Sequence, residues 1–211
     1  MFTCFINTYS AAGENFLDFR FPVQWVSRPQ TEELHDFRGY MGRVESGSVD
    51  VGDEIVVLPT GLTSKVKSIV TYDGELQSAG TPLSICLTLE DELDISRGDM
   101  IVRPGNVPRI DSEFEAAICW MNQKPLDLEK KYLIKHTART IQAKILELRY
   151  RIDVNTLHRD NTATELNCNE IGRILIKTQK PLFVDSYSQN RVTGSFVMVD
   201  EHSNDTVAGG M

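Results

Sequence analysis

The sequence predicts an all-β fold made of two consecutive antiparallel β-barrels, and three observations carry that prediction. Apolar runs of strand length are separated by Gly, Pro and Asp turn signals along most of the chain. The length of 211 residues divides into two halves of barrel size. Between the halves stands Pro104-Gly105-Asn106-Val107-Pro108, the punctuation of a connector. The expected division is a lead-in over 1–18, a first barrel over 19–107 and a second over 108–211.

Within the first barrel, Glu54 to Leu58 reads as a strand closed by the turn Pro59-Thr60-Gly61. Val66, Ser68 and Val70 alternate with Lys67 and Ile69, and Tyr72-Asp73-Gly74 then supplies an Asp-Gly turn. Leu83 to Leu89 and Met100 to Val102 continue the pattern. Arg97-Gly98-Asp99 reads as a tight turn into the last of these strands. Closing such strands into barrels removes exposed sheet edges.

In the second half, the stretch around Leu146 is ambiguous. Ile141, Ile145, Leu148 and Ile152 fit a helix face, whereas Leu146, Leu148, Tyr150, Ile152 and Val154 alternate without interruption. A strand places all five of the latter on one face, so a strand is expected, with that face buried. Ile141, Ala143 and Ile145 alternate in the opposite phase, which requires a bulge or bend near Ile145-Leu146.

Composition narrows the function classes. The longest apolar run, Ala116 to Met121, is six residues, far below the ~18 needed to span a bilayer as a helix, and the first residues lack a basic secretory start. Cys4, Cys86, Cys119 and Cys168, like His35, His136, His158 and His202, are dispersed without metal-ligand spacing. No metal site is expected, and the acidic stretch Glu90, Asp91, Glu92 and Asp94 reads as a solvated loop. The net charge of −8 lies in residues 1–107, with 8 Lys/Arg against 16 Asp/Glu; the remainder has 14 of each. An acidic first half is a poor surface for phosphate.

Several segments resemble a known family. They include Phe19-Arg20-Phe21-Pro22-Val23-Gln24, the turn Gly47 to Ile55, Arg151-Ile152-Asp153-Val154-Asn155-Thr156-Leu157, Asn169 to Arg173, and Asn190 to Met211. From about Phe19 onward the chain resembles the β-barrel domains that follow the GTPase domain in the large subunit of bacterial sulfate adenylyltransferase, a relative of elongation factor Tu. The resemblance implies barrels of the translation-factor type and a non-catalytic role for this region. In that family a GTPase subunit drives formation of adenylyl sulfate from ATP and sulfate on a small catalytic subunit. The implied partners are that subunit and the family's own GTPase domain. GTP and magnesium are implied for the GTPase domain and no cofactor for this chain, and a cytoplasmic location is expected.

The residues agree with a non-catalytic role. No G-x-x-x-x-G-K-[ST] loop and no Asn-Lys-x-Asp motif occurs, so the phosphate cradle and base recognition of a GTPase are lacking. Asp36-Phe37-Arg38-Gly39 is a D-x-x-G match of the kind chance supplies. Thr31 to His35 reads as an insertion relative to the family. No catalytic residue is expected. The candidate contact residues are Lys130, Lys131, Lys135, Arg139, Lys144, Arg149 and Arg151, a basic run that could meet an acidic partner subunit or RNA, or form a solvated strand face. The alternative to the family role is a free-standing barrel module that binds RNA or protein.

Overall fold

The computed structural model describes residues 17–29, 37–154 and 156–211. The lead-in before residue 17, the insertion Thr31 to His35, and Asp36 lie outside the described residues. Among those described there is no α-helix, and every strand pairing is antiparallel.

The first barrel contains β1 (Arg20–Ser27), β2 (Gly39–Arg43), β4 (Glu54–Leu58), β5 (Leu62–Thr71), β8 (Ser84–Leu89) and β9 (Met100–Val102). They run in the order β4-β9-β1-β2-β8-β5, and a β4–β5 pairing closes the ring. β6 (Gly74–Leu76) extends β5 as a hairpin, while β3 (Ser48–Asp50) and β7 (Ser78–Gly80) form a separate pair. Phe19, Phe21, Ile55, Val57, Ile69 and Leu87 fill the interior, all removed from solvent.

The second barrel contains β10 (Arg109–Trp120), β11 (Lys131–His136), β12 (Arg139–Ile152), β14 (Ile171–Val184), β15 (Phe196–Asp200) and β16 (Thr206–Gly210), with β13 (Arg159–Asp160) beside β12. The order β11-β15-β16-β10-β14-β12 is closed by the β11–β12 hairpin. In its core Trp120 and Tyr132 meet edge to face at 5.9 Å. Each buried ring keeps its polar end satisfied: Trp120 Nε1–H donates to Lys124 O at 2.8 Å, and the Tyr132 hydroxyl to Asp127 O at 3.0 Å.

Strands β5 and β12 depart from simple alternation of buried and exposed residues. In β5 the register against β8 shifts between Val66 and Ser68, so Ile69 follows Val66 into the core and Val70 stays half-exposed. In β12 the strand is present, and the expected bulge lies between Ile145 and Glu147, with a second shift between Leu148 and Tyr150. The expected burial of Leu146, Leu148, Tyr150, Ile152 and Val154 on one face does not occur. Leu146 occupies the bulge and is 43% exposed, Val154 is 57% exposed, and Leu148 only leans on the core, which Ile141, Ala143 and Ile145 enter instead. A bulge adds one unpaired residue, so alternation cannot pass through it unchanged.

Between the barrels, Leu58, Met100 and Val102 of the first close over Phe183 of the second in a small shared core.

Candidate partner-binding surface

The β11–β12 hairpin places most of the basic run on the outside of the second barrel, where carboxylates from the same strand, neighbouring strands and loops neutralise much of it. Lys130 Nζ lies 3.2 Å from Asp200 and Lys144 Nζ 3.4 Å from Glu129. Arg149 meets Glu147 at 2.7 Å and Glu115 at 3.4 Å. Arg151 spans Glu170 at 2.9 Å and Asp160 at 3.1 Å. Asp200 also accepts the backbone N–H groups of His202 and Ser203; these bonds, with Lys130, hold its carboxyl down at about 2. Lys131 and Lys135 are exposed on β11 and make no ion pair among the described residues. The structure therefore divides the run into engaged cations and two free lysines.

Arg139 has a different place. Its guanidinium points into the junction between the barrels, donating to Gly98 O, to Pro181 O at 2.8 Å and to Asp99 Oδ1 at 3.3 Å, and lying 4.1 Å over the Phe183 ring. Its fork geometry suits several acceptors at once. Arg97-Gly98-Asp99 is thus both the expected turn and an anchor for the second barrel.

A second guanidinium crosses the same junction. Arg20 is buried at the start of β1 and makes a two-pronged pair with Asp185, just past the end of β14, at 2.9 and 3.0 Å. Its remaining N–H groups reach Phe19 O and the connector residue Asn106. Thr193 Oγ1–H donates to Asp185 at 2.6 Å, and His136 Nε2–H donates to Thr193 O at 2.8 Å. Burial pushes the His136 imidazole below the ordinary histidine range, so the ring is neutral here. Asn190 Nδ2 completes the set by donating to Ser46 Oγ at 2.8 Å.

Beside this network runs a groove of about 910 Å³ with Phe114, Val184 and Phe196 among its lining. Its cations are engaged: Arg20 with Asp185, Arg109 with Asp111, and Arg173 with Glu115. No group of His, Cys, Asp or Glu side chains that could hold a metal occurs among the described residues. No helix of the described residues is long and apolar enough to cross a membrane.

Sequence reasoning missed Arg20, Asp185 and His136. The one available signal was a charged residue between two phenylalanines, Phe19-Arg20-Phe21, where a strand enters a core.

The family described as GTP-eEF1A C-terminal domain-like matches residues 113–211. The bifunctional enzyme CysN/CysC of Mycobacterium tuberculosis is 49% identical over 206 residues, covering 97% of this chain and 34% of that protein. Sulfate adenylyltransferase subunit 1 of Bacteroides thetaiotaomicron is 47% identical over 207 residues, covering 93% of this chain and 41% of that protein. The chain therefore spans well under half the length of these relatives. A crystal structure of Sup35 complexed with GDP superposes with a TM-score of 0.79 at 17% identity, covering 92% of this chain and 46% of that one, a likeness of fold. Over nearly its whole length the chain is thus similar to part of sulfate adenylyltransferase subunit 1, and its fold is a pair of barrels of the translation-factor type.

Proposed function

We propose that this pair of barrels is the non-catalytic, partner-binding part of a GTP-hydrolysing sulfate adenylyltransferase subunit. GTP and magnesium bind a GTPase domain outside these 211 residues. Its hydrolysis drives the formation of adenylyl sulfate from ATP and sulfate on a separate small catalytic subunit, in the cytoplasm. The barrels hold that subunit, and their joined construction keeps the contact surface fixed relative to the rest of the protein. The observation that carries this reading is the similarity across nearly the whole chain to bifunctional enzyme CysN/CysC, at 49% identity, and to sulfate adenylyltransferase subunit 1, at 47%. The absence of a phosphate loop and a base-recognition motif agrees with it.

The test is co-purification of the 211-residue chain with the small catalytic subunit produced in the same cells. Recovery of a stoichiometric complex supports the reading. If the catalytic subunit elutes alone at every ionic strength from about 50 to 300 mM, the partner-binding role is wrong.

A further inference from the structure

In the first barrel, β1 turns its tryptophan outward. Phe19, Phe21 and Val23 alternate into the core and are removed from solvent, and the same alternation would carry Trp25 in after them. A register shift intervenes. Val23 lies opposite Gly42 and Trp25 opposite Met41, so two steps along β1 match one along β2 and Gln24 is the extra residue. That bulge reverses the faces: Val26 packs inward, and Trp25 is left 63% exposed. Met41, directly across the ladder, projects to the same side and is 39% exposed. The bulge thus sets a tryptophan in water beside a second apolar side chain, an apolar patch on the barrel's outside.

Charges of both signs surround this patch. Trp25 lines a groove of about 650 Å³ together with Arg28, Pro29, Asp94, Ile95 and Arg97. Arg28 and Arg97 are exposed and make no ion pair among the described residues. Asp94 is 97% exposed and meets Arg38 only at 3.4 Å. Glu92 is exposed and makes no ion pair among the described residues. One buried group senses several of these charges together. The Tyr40 hydroxyl, which donates to Leu93 O at 2.9 Å, is pushed up to about 12 by burial; Arg28 opposes that shift, and Asp94 and Glu92 add to it. Cations and carboxylates free to pair outward therefore stand on one face around an apolar centre.

We propose that this face docks a second copy of the chain about a twofold axis. Trp25 and Met41 of the two copies meet at the centre, and Arg28 and Arg97 of each copy face Glu92 and Asp94 of the other. A twofold contact brings one patch against itself, so it needs a surface that is its own complement. Both signs on one face meet that need, whereas a partner of a single sign would set like charges against half of these groups. Tryptophan and arginine are also the residue types on which interface energy concentrates. Nucleic-acid surfaces instead cluster cations, and here carboxylates stand among them. The net charge of −8 opposes association at long range, but at about 0.15 M salt that repulsion is screened beyond ~8 Å. The patch is small, so the dimer is a weak one. The inference is independent of the partner-binding reading above.

Sedimentation equilibrium of the full 211-residue chain provides the test, at about 150 mM salt. Over loadings of about 5–500 μM, a dimer with a dissociation constant of about 10–100 μM is expected. Trp25→Ser should weaken it about tenfold or more, while Lys124→Glu, exposed on the second barrel, stays within about twofold. Two charge variants, Arg28→Glu/Arg97→Glu and Glu92→Arg/Asp94→Arg, each give the face a single sign and should be monomeric alone. Mixed in equal amounts they should dimerise at least as tightly as the wild type, a recovery that loss of folding cannot imitate. All the substituted positions are exposed, and melting temperatures check that each variant folds. A wild-type chain still monomeric at about 500 μM overturns the proposal. So does a dimer that Trp25→Ser leaves intact, or a mixture of the two charge variants that stays monomeric. If the wild type is monomeric and Trp25→Ser loses binding to the small catalytic subunit, the face belongs to that partner instead.

Discussion

Arg20 and Asp185 lie 165 positions apart and face each other across the barrel junction, Nε to Oδ2 at 2.9 Å and Nη2 to Oδ1 at 3.0 Å. Their side chains are 3% and 10% exposed, so each charge depends on the other for solvation. Asp185→Ala leaves a buried guanidinium without its counter-charge and is expected to cost about 3–5 kcal/mol. Arg20→Ala should cost a similar amount, and the double variant less than the sum of the two. Urea melts of all three measure this. Additive losses would mean that the pair is not coupled.

His136 makes the junction sensitive to acid. Its folded pKa lies below the unfolded value of 6.5 because burial disfavours the imidazolium, and Arg139 adds repulsion; the Thr193 carbonyl and Asp185 pull the other way without reversing the shift. Below about 6.5 the unfolded chain therefore binds a proton that the folded chain resists. The contribution is fully present above 6.5 and is lost as the pH falls toward the folded pKa. Melting temperatures at about pH 7.5 and 5.5 should fall more in the wild type than in His136→Gln. Equal falls would place the acid sensitivity elsewhere.

What the sequence made legible depended on how local the determinant is. β4 was readable to the residue because Pro59-Thr60-Gly61 ends it within the same ten-residue stretch. The strand character of β12 and its bulge near Ile145 were readable from two opposed alternations. The inward face after the bulge was not, because the register against β14 sets it. The basic run was visible, but which lysines are free was not. Lys144 is neutralised by Glu129 and Arg151 by Glu170, carboxylates 15 and 19 positions away that only folding brings near. The Arg20–Asp185 pair requires both barrels to fold and dock, and no local pattern encodes it.

The bulge in β12 separates two adjacent residues of similar size. Ile145 is 1% exposed in the core, while Leu146 is 43% exposed. Ile145→Ala should cost about 2–5 kcal/mol, whereas Leu146→Ala should stay within about 1 kcal/mol, close to an ordinary surface change. Denaturant midpoints of the two variants decide it. A severe loss at Leu146 would move the bulge and restore uninterrupted alternation.

The 211 residues contain neither a G-x-x-x-x-G-K-[ST] loop nor an Asn-Lys-x-Asp motif, the two devices by which a GTPase cradles its nucleoside triphosphate and reads the base. Titration calorimetry with GTP and magnesium should give no saturable heat. A dissociation constant of about 1 μM or tighter, near −8 kcal/mol, would contradict the assignment of GTP to a separate domain.

Gly98 and Arg139 provide the most local test of the joint between the barrels. Gly98 has φ +93°, a conformation that side chains rarely adopt, and a Cβ there would stand 2.8 Å from Arg139 Cγ. The arginine has little room to withdraw, since its guanidinium is bonded to Gly98 O, Pro181 O and Asp99 and lies over Phe183. Gly98→Ala should therefore combine backbone strain of about 1–3 kcal/mol with displacement of Arg139. In an Arg139→Ala background the Cγ is gone and only the backbone part remains. The double-mutant cycle should then show a coupling of about 0.5–3 kcal/mol. Additivity within about 0.5 kcal/mol would show that Gly98 acts through its own turn alone and that the two barrels are not pinned at this point.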